Sequence, residues 1–391
     1  MVNTKYARVL DHPESSIRWD QESPLTMTVE TREGEIETRY GRFVGGPADG
    51  VEVVEIDTGV MRVVVLPTRG MSIWKIESKG IRFGFDSPIA GPIHPSLVPI
   101  DDPSGLGFLE GFDELVVRCG LESNGAPEHD EHGNLVYPVH GRIANLPADA
   151  LSIEYDEASG RLELIGEVME ARWFAKRLRL KSRLRVRAGS YRVYLLDDVT
   201  NELSKPATMQ LLYHINIGSP VLDDGAVLEA PIEELAPRDE LSAGEIDEWN
   251  QFGAPQDNYV ERVYFTKLCV DDSNETTTMV RSGDGSCGLA VTHNVNHLPY
   301  FILWKNTAAK SDGYVVGMEP ATNFPNKRSF ETEQDRLVTI EPGETKSFRL
   351  SLLPLINEQA VNKTSERIKS LSETFEATVH RQPKAGWSDM S

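Results

Sequence analysis

From Leu178 to Val186 the chain alternates without a break, Leu178, Leu180, Ser182, Leu184 and Val186 against Arg179, Lys181, Arg183 and Arg185. Successive side chains of a strand point to opposite faces, so a period of two commits this run to one core face and one wet face. The rhythm recurs in Val51–Ile56, Met61–Leu66, Met71–Ile76, Leu162–Val168, Tyr191–Thr200, Met209–Gly218, Ser286–Thr292, Tyr300–Lys305, Gly313–Pro320 and Ser347–Leu353. Many short strands separated by Gly, Pro and Asn predict an all-β fold, an antiparallel sandwich or barrel with minor helices. The basic row at 179–185 has no interleaved aromatics and belongs to an acidic chain. It reads as a solvated face paired with acidic neighbours rather than a nucleic-acid stripe.

Three regions follow from this pattern. Residues 1–40 are polar and read as an N-terminal extension, residues 41–356 as one β domain with a cleft, and residues 357–391 as a helical segment with a polar, mobile tail. Between 84 and 110, Pro88, Pro92, Pro95, Pro99 and Pro103 exclude regular structure. Its interspersed Phe85, Ile93, Leu97 and Phe108 suit a packed wall of the cleft. The acidic segment 219–262 has no strong period and reads as loop covering one sheet edge. The runs at 191–200 and 210–218, joined by a short polar link, read as neighbouring antiparallel strands.

Acidic residues outnumber basic ones 61 to 40 in 391 residues, a net charge of −21. Such a field disfavours nucleic acid and anionic membrane as partners and leaves a neutral polar small molecule as the best fit. No apolar run reaches the ~18 residues of a membrane span, and the stretch Met1–Tyr6 lacks the apolar core of a signal peptide. Cys119, Cys269 and Cys287 are an odd, widely spaced set, which points to a reducing compartment and hence the cytoplasm. Phosphate-loop, dinucleotide, nucleophile-elbow and zinc motifs are all missing, so the sequence calls for no cofactor and no metal. His129 and His132 lie three apart among acids without a third ligand, which fits a solvated loop.

Three clusters carry groups suited to chemistry. In Met209–Gly218, Leu211, Tyr213, Ile215 and Ile217 form an apolar face, while Gln210, Leu212, His214 and Asn216 form the other. That polar front faces either solvent or a cleft that binds hydroxyl groups, and His214 can exchange a proton near neutrality. Tyr137-Pro138-Val139-His140-Gly141-Arg142 is either a surface turn or a second binding cluster, and Arg118 and Asn124 flank another glycine-bearing stretch. Glu319 ends an alternating strand just before Pro320, either an edge residue in solvent or a carboxylate held in one orientation. Trp304 is open to two roles, stacking on a sugar face or packing in the core.

His-Gly, then Tyr-His-x-Asn-x-Gly, then Glu-Pro-x-Thr-Asn-x-Pro-Asn, in that order on an all-β chain, resemble the aldose 1-epimerase (galactose mutarotase) family, closest to a poorly characterised bacterial branch of it. The resemblance spans roughly residues 50 to 355 and implies a β-supersandwich with a sugar cleft on a concave face. It implies His214 as general acid, Glu319 as general base and His140 as a sugar-binding residue. Arg69, Arg118 and Arg142 are its candidates for the substrate-orienting arginine, and Asn216, Gln210, Asn124 and Trp304 for further sugar contacts. The family also has an Asp that holds sugar hydroxyls; the segment 219–262 offers Asp257, without a motif to fix the choice. The implied reaction is anomer interconversion, in which an acid and a base on opposite sides of one sugar open and reclose the ring. The implied partner is a small sugar, with the protein a monomer or homodimer. Two alternatives stand beside it, a carbohydrate-binding module without turnover and a sugar-phosphate isomerase that holds a phosphate with Arg118 and Arg142.

Overall fold

The computed structural model describes residues 16–89, 91–373 and 375–389. Residues 1–15 of the expected extension therefore lie outside the described residues. Two sheets face each other, antiparallel except where the strand 378–379 runs parallel to 232–237. The larger, of fifteen strands, runs in the order 17–19, 34–43, 52–57, 62–66, 72–78, 116–121, 207–217, 315–321, 300–306, 262–268, 232–237 and 378–379, with 27–31, 81–83 and 338–340 attached at its sides. The smaller, of eight, runs 150–156, 161–172, 176–186, 193–201, 345–355, 288–294, 275–281 and 227–229. The fold is the expected all-β supersandwich.

Period-two patterning explains where the core lies. Leu178, Leu180 and Leu184 of the small sheet pack in one buried cluster with Leu211, Tyr213, Ile215 and Ile217 of the large sheet. The alternate face of the 207–217 strand looks the other way, and Leu212 joins a second cluster with Phe108, Phe112, Val263 and Phe324. The large sheet thus has a core face and a second, partly covered face, and the second face bears the site. On the outer face of the small sheet the three arginines of the basic row are ion-paired as expected. Arg179 meets Glu167 and Glu202, Arg183 meets Asp198, and Arg185 meets Glu163.

Four expectations need correction. Residues 17–43 form three strands of the large sheet rather than a drape. The runs at 193–201 and 207–217 belong to different sheets, because the link between them crosses the sandwich. The segment 219–262 contains strands at 227–229 and 232–237 and a helical turn at 240–243. The chain after His380 is not all free: Trp387 is buried against Phe324, and its carbonyl accepts from Nδ2 of Asn326 at 2.8 Å.

Candidate active site

Five consecutive strands of the large sheet, 207–217, 315–321, 300–306, 262–268 and 232–237, form the floor of a cavity of about 300 Å3. That lies at the small end of the range for small-ligand sites, about 300–1,000 Å3. His214, Glu319, Trp304 and Val263 rise from the floor, and Arg238 and Glu261 stand at its strand ends. Leu106, Leu109 and Phe112 close one wall, so the proline-rich loop does form part of the cleft. Ala126, Pro127, Val139, His140 and Pro325 complete the lining.

The register that pairs Leu212 with Ala321 and Ile215 with Met318 sets His214 across from Glu319. Nε2 of His214 lies 3.1 Å from Oε1 of Glu319, and both side chains are almost wholly buried. Gly317 makes this closeness possible. A Cβ at 317 would stand 2.7 Å from Oε1 of Glu319 and 3.0 Å from Cε1 of His214. The acid and base of the sequence reading are therefore side by side on one floor, not on opposite sides of a ligand, which corrects that expectation.

Their surroundings decide the charge. Around the His214 ring stand Phe112 at 4.9 Å, Trp304 at 5.3 Å and His140 at 5.4 Å between ring centroids. Burial, and then the neighbouring His140, push the His214 pKa well below its ordinary value, with Asn216 acting weakly against them. Burial, and then the nearby Glu261, push Glu319 well above the ordinary carboxylate range. Both shifts disfavour charge separation, so the pair is held uncharged with one proton between its two members.

His140 is held by its Nδ1, 3.0 Å from the Asn124 carbonyl, an acceptor that requires the proton on Nδ1. Burial lowers its pKa, so the ring is neutral and its Nε2 is left as an acceptor. Trp304 donates Nε1–H to Oε2 of Glu261 at 2.6 Å, and Nη1 of Arg238 donates to Oε1 of the same carboxylate at 3.1 Å. Arg238 also donates to Asp239 at 2.9 Å. The indole is thereby fixed by its edge while the residue lines the cavity.

The three arginine candidates are elsewhere. Arg118 is fully buried on the core side, donating from Nε to Oδ2 of Asp197 at 2.5 Å, from Nη2 to Ser182 at 2.8 Å and from Nη1 to the Met71 carbonyl at 2.7 Å. Arg69 is buried beneath the wall loop, bound to Glu114 at 2.7 Å and Asn145 at 2.6 Å and to the Gly111 carbonyl. Arg142 pairs with Asp101 of that same loop. None of them lines the cavity, and Arg118 and Arg142 do not converge beside His140, so the phosphate-holding alternative loses its ground there. Gln210, Asn216 and Asn124 are also corrected to supports. Oε1 of Gln210 accepts from the Asn124 amide at 3.3 Å, Asn216 donates to the Glu114 carbonyl at 2.8 Å, and Asn124 pairs with Asn323 at 2.9 Å. Asp257 does not line the cavity; of the acids in the segment 219–262, Glu261 does.

Arg238 and Glu261 were missed because they flank strands in a segment read as loop. The signal was there: Ile232, Leu235 and Ala236 precede Arg238, and the apolar Val263 and Phe265 follow Glu261 at period two. Among the described residues no three His, Cys, Asp or Glu side chains gather as a metal site.

A family model described as a domain of unknown function, DUF4432, matches residues 48–353. The chain belongs to the DUF4432 family. No curated protein matches it. Among solved structures, this DUF4432 chain is similar to a candidate aldose 1-epimerase from Klebsiella pneumoniae, at 29% identity over 90% of this chain and 91% of that one, with a TM-score of 0.86. It is similar in fold to a galactose 1-epimerase from Lactobacillus acidophilus, at 14% identity, 82% and 98% coverage and a TM-score of 0.53. A galactose mutarotase-like protein from Clostridium acetobutylicum matches at 12% identity, 78% and 95% coverage and a TM-score of 0.54. The fold is galactose mutarotase-like. No helix among the described residues is long and apolar enough to cross a membrane.

Proposed function

We propose that the chain interconverts the anomers of a free monosaccharide, with His214 and Glu319 as the reacting pair. The observation that carries this is their 3.1 Å contact on a cavity floor where burial keeps the pair uncharged. Ring opening breaks the bond from C1 to the ring oxygen, delivers a proton to that oxygen and removes one from the C1 hydroxyl. The two oxygens share one carbon and lie closer together than a hydrogen bond is long. A donor and an acceptor side by side serve both at once.

In the uncharged pair Glu319 carries the proton and His214 is free to accept. Glu319 gives its proton to the ring oxygen while Nε2 of His214 takes the C1 hydroxyl proton, and the aldehyde forms. Rotation about C1–C2 turns the other face of the carbonyl to the hydroxyl. Closure returns each proton to its source, so the cycle ends with the pair as it began. These roles reverse the acid and base of the sequence reading, since a buried imidazole resists protonation and a buried carboxyl resists ionisation. His140 accepts from a sugar hydroxyl through Nε2, Glu261 and Arg238 bind others at the rim, and Trp304 offers its indole to an apolar sugar face.

Exchange between anomers, followed by NMR on a panel of free aldoses, tests the proposal. Glu319→Gln and His214→Ala are each expected to slow exchange about 10²–10⁴-fold, the usual worth of a positioned proton-transfer group. Exchange at the parent rate in either variant, with the fold retained, would refute the assignment.

A further inference from the structure

We infer that the outer face of the small sheet carries a second site, which takes an organic phosphate monoester. It is independent of the sugar cavity, which lies on the other sheet. Arg179, Arg183, Arg185 and Arg281 on this face are paired with Glu163, Glu167, Asp198, Glu202 and Glu229. Arg192 and Arg349 break the pattern. Among the described residues neither has a carboxylate partner. Arg192 donates from Nη1 to Oγ of Ser351 at 2.8 Å, and the guanidinium of Arg349 has no hydrogen-bond partner among the described residues.

Strand register gathers these groups. Tyr194 stands opposite Ser351 and Leu196 opposite Arg349, so the two guanidinium groups that lack a carboxylate flank one stretch of the 345–355 strand. The helix Glu358–Ser372 packs over the strands 275–281 and 345–355 and brings Arg367, whose one ion pair, to Asp271, is long at 3.6 Å. His297, in the turn after the 288–294 strand, adds an imidazole whose Nδ1 has no partner and whose pKa is lowered by burial and by Arg349. These side chains line a cavity of about 600 Å3 whose single acidic lining residue is Glu275.

Cations left unpaired beside one another repel, and the repulsion is notable in a chain with a net charge of −21 and carboxylates in excess. A bound dianion turns that repulsion into attraction. Guanidinium forks match phosphate oxygens with parallel hydrogen bonds, which selects a phosphate over a diffuse anion. The cavity is too large for a bare phosphate, and Tyr194, 43% exposed, offers a ring face beside it. The remaining volume therefore suits the organic group of a monoester. The acidic field of the rest of the molecule discourages weaker anions.

Titrating the full chain with inorganic phosphate, glucose 6-phosphate, adenosine 5′-monophosphate and glucose, with the His297 ring resonances and calorimetry as readouts, tests this. The expected result is a saturable shift at His297 with one or both esters, tighter than with inorganic phosphate, and no shift there with glucose. Arg192→Ala and Arg349→Ala should each weaken ester binding at least tenfold, while thermal melting and anomer exchange stay at the parent level. The inference is overturned by the absence of a His297 shift with both esters. Equal binding in the two variants would overturn it as well, as would phosphate binding as tightly as either ester, the mark of an adventitious ion only.

Discussion

A methyl group at position 317 would enter the space that the His214 ring and the Glu319 carboxyl share. We predict that Gly317→Ala slows anomer exchange about 10²-fold, since reacting groups displaced by about 1 Å lose that much. Its effect on stability should stay within the roughly 1–3 kcal/mol of ordinary overpacking. Exchange at the parent rate in this variant would show that the contact distance does not matter. The pair also fixes a pH dependence. With Glu319 raised above 4.5 and His214 lowered below 6.5, the one-proton pair persists between those two folded-state values. Activity should fall on the acid side when His214 gains a second proton, and on the alkaline side when Glu319 loses the only one. Stability follows the sign of the shift. The raised carboxyl favours the folded state below its unfolded pKa of 4.5, and this contribution is lost as pH rises through the folded value. Carboxyl ¹³C NMR should find Glu319 titrating above the ordinary carboxylate range; a midpoint near 4.5 would contradict the uncharged pair.

At the scale of elements, Arg118 is a bolt between the sheets. It sits on the 116–121 strand of the large sheet, while Asp197 and Ser182 belong to the small one, and Tyr213 donates to the same Asp197 at 2.8 Å. Breaking one side of such a buried pair strands the other charge, so Arg118→Met should cost roughly 3–5 kcal/mol. Asp197→Leu combined with it should restore part of that loss in chemical denaturation; a double variant no more stable than the single one would argue against the stranded-charge account. The same residue shows where the sequence stops being informative. Period two assigns side chains to two faces, and it separated Tyr213 from His214 correctly. It does not give register between strands, and only register reveals that Arg118 stands opposite Tyr213, with the core, instead of beside the cavity. Its partner Asp197 lies 79 residues away, beyond any local pattern. Arg69 was opaque for the same reason, since its partners arrive from two separate connections, Gly111 and Glu114 from one and Asn145 from the other.

Across the whole molecule, what could be read from the sequence was what repetition encodes. Strand alternation announced the two sheets, and unusual polar residues on an apolar strand drew attention to His214 and Glu319. Residues 17–43 escaped because each strand carries only two or three apolar residues, Ile17 and Trp19, Met27 and Val29, and Ile36, Tyr40 and Phe43, too few among their polar neighbours to mark a period. Glu261 and Arg238 escaped because a rim charge outside a strand resembles any solvated charge until the fold closes around it. The net charge disfavoured classes of partner without naming one, since an average over the chain hides a local cluster such as Arg192 with Arg349.

The placement of His214 and Glu319 opposite one another on neighbouring strands of one antiparallel ladder has a consequence for how such a protein can diversify. Main-chain hydrogen bonds hold the two side chains at their spacing, whereas Leu106, Leu109, Ala126, Pro127 and Val139, which line the walls of the cavity, hang from connecting segments. Those segments can be exchanged, lengthened or recoloured without touching the proton-transfer geometry. Relatives that keep this cross-strand pair and differ in the overhanging chain would then share one reaction and divide among themselves the sugars it is applied to.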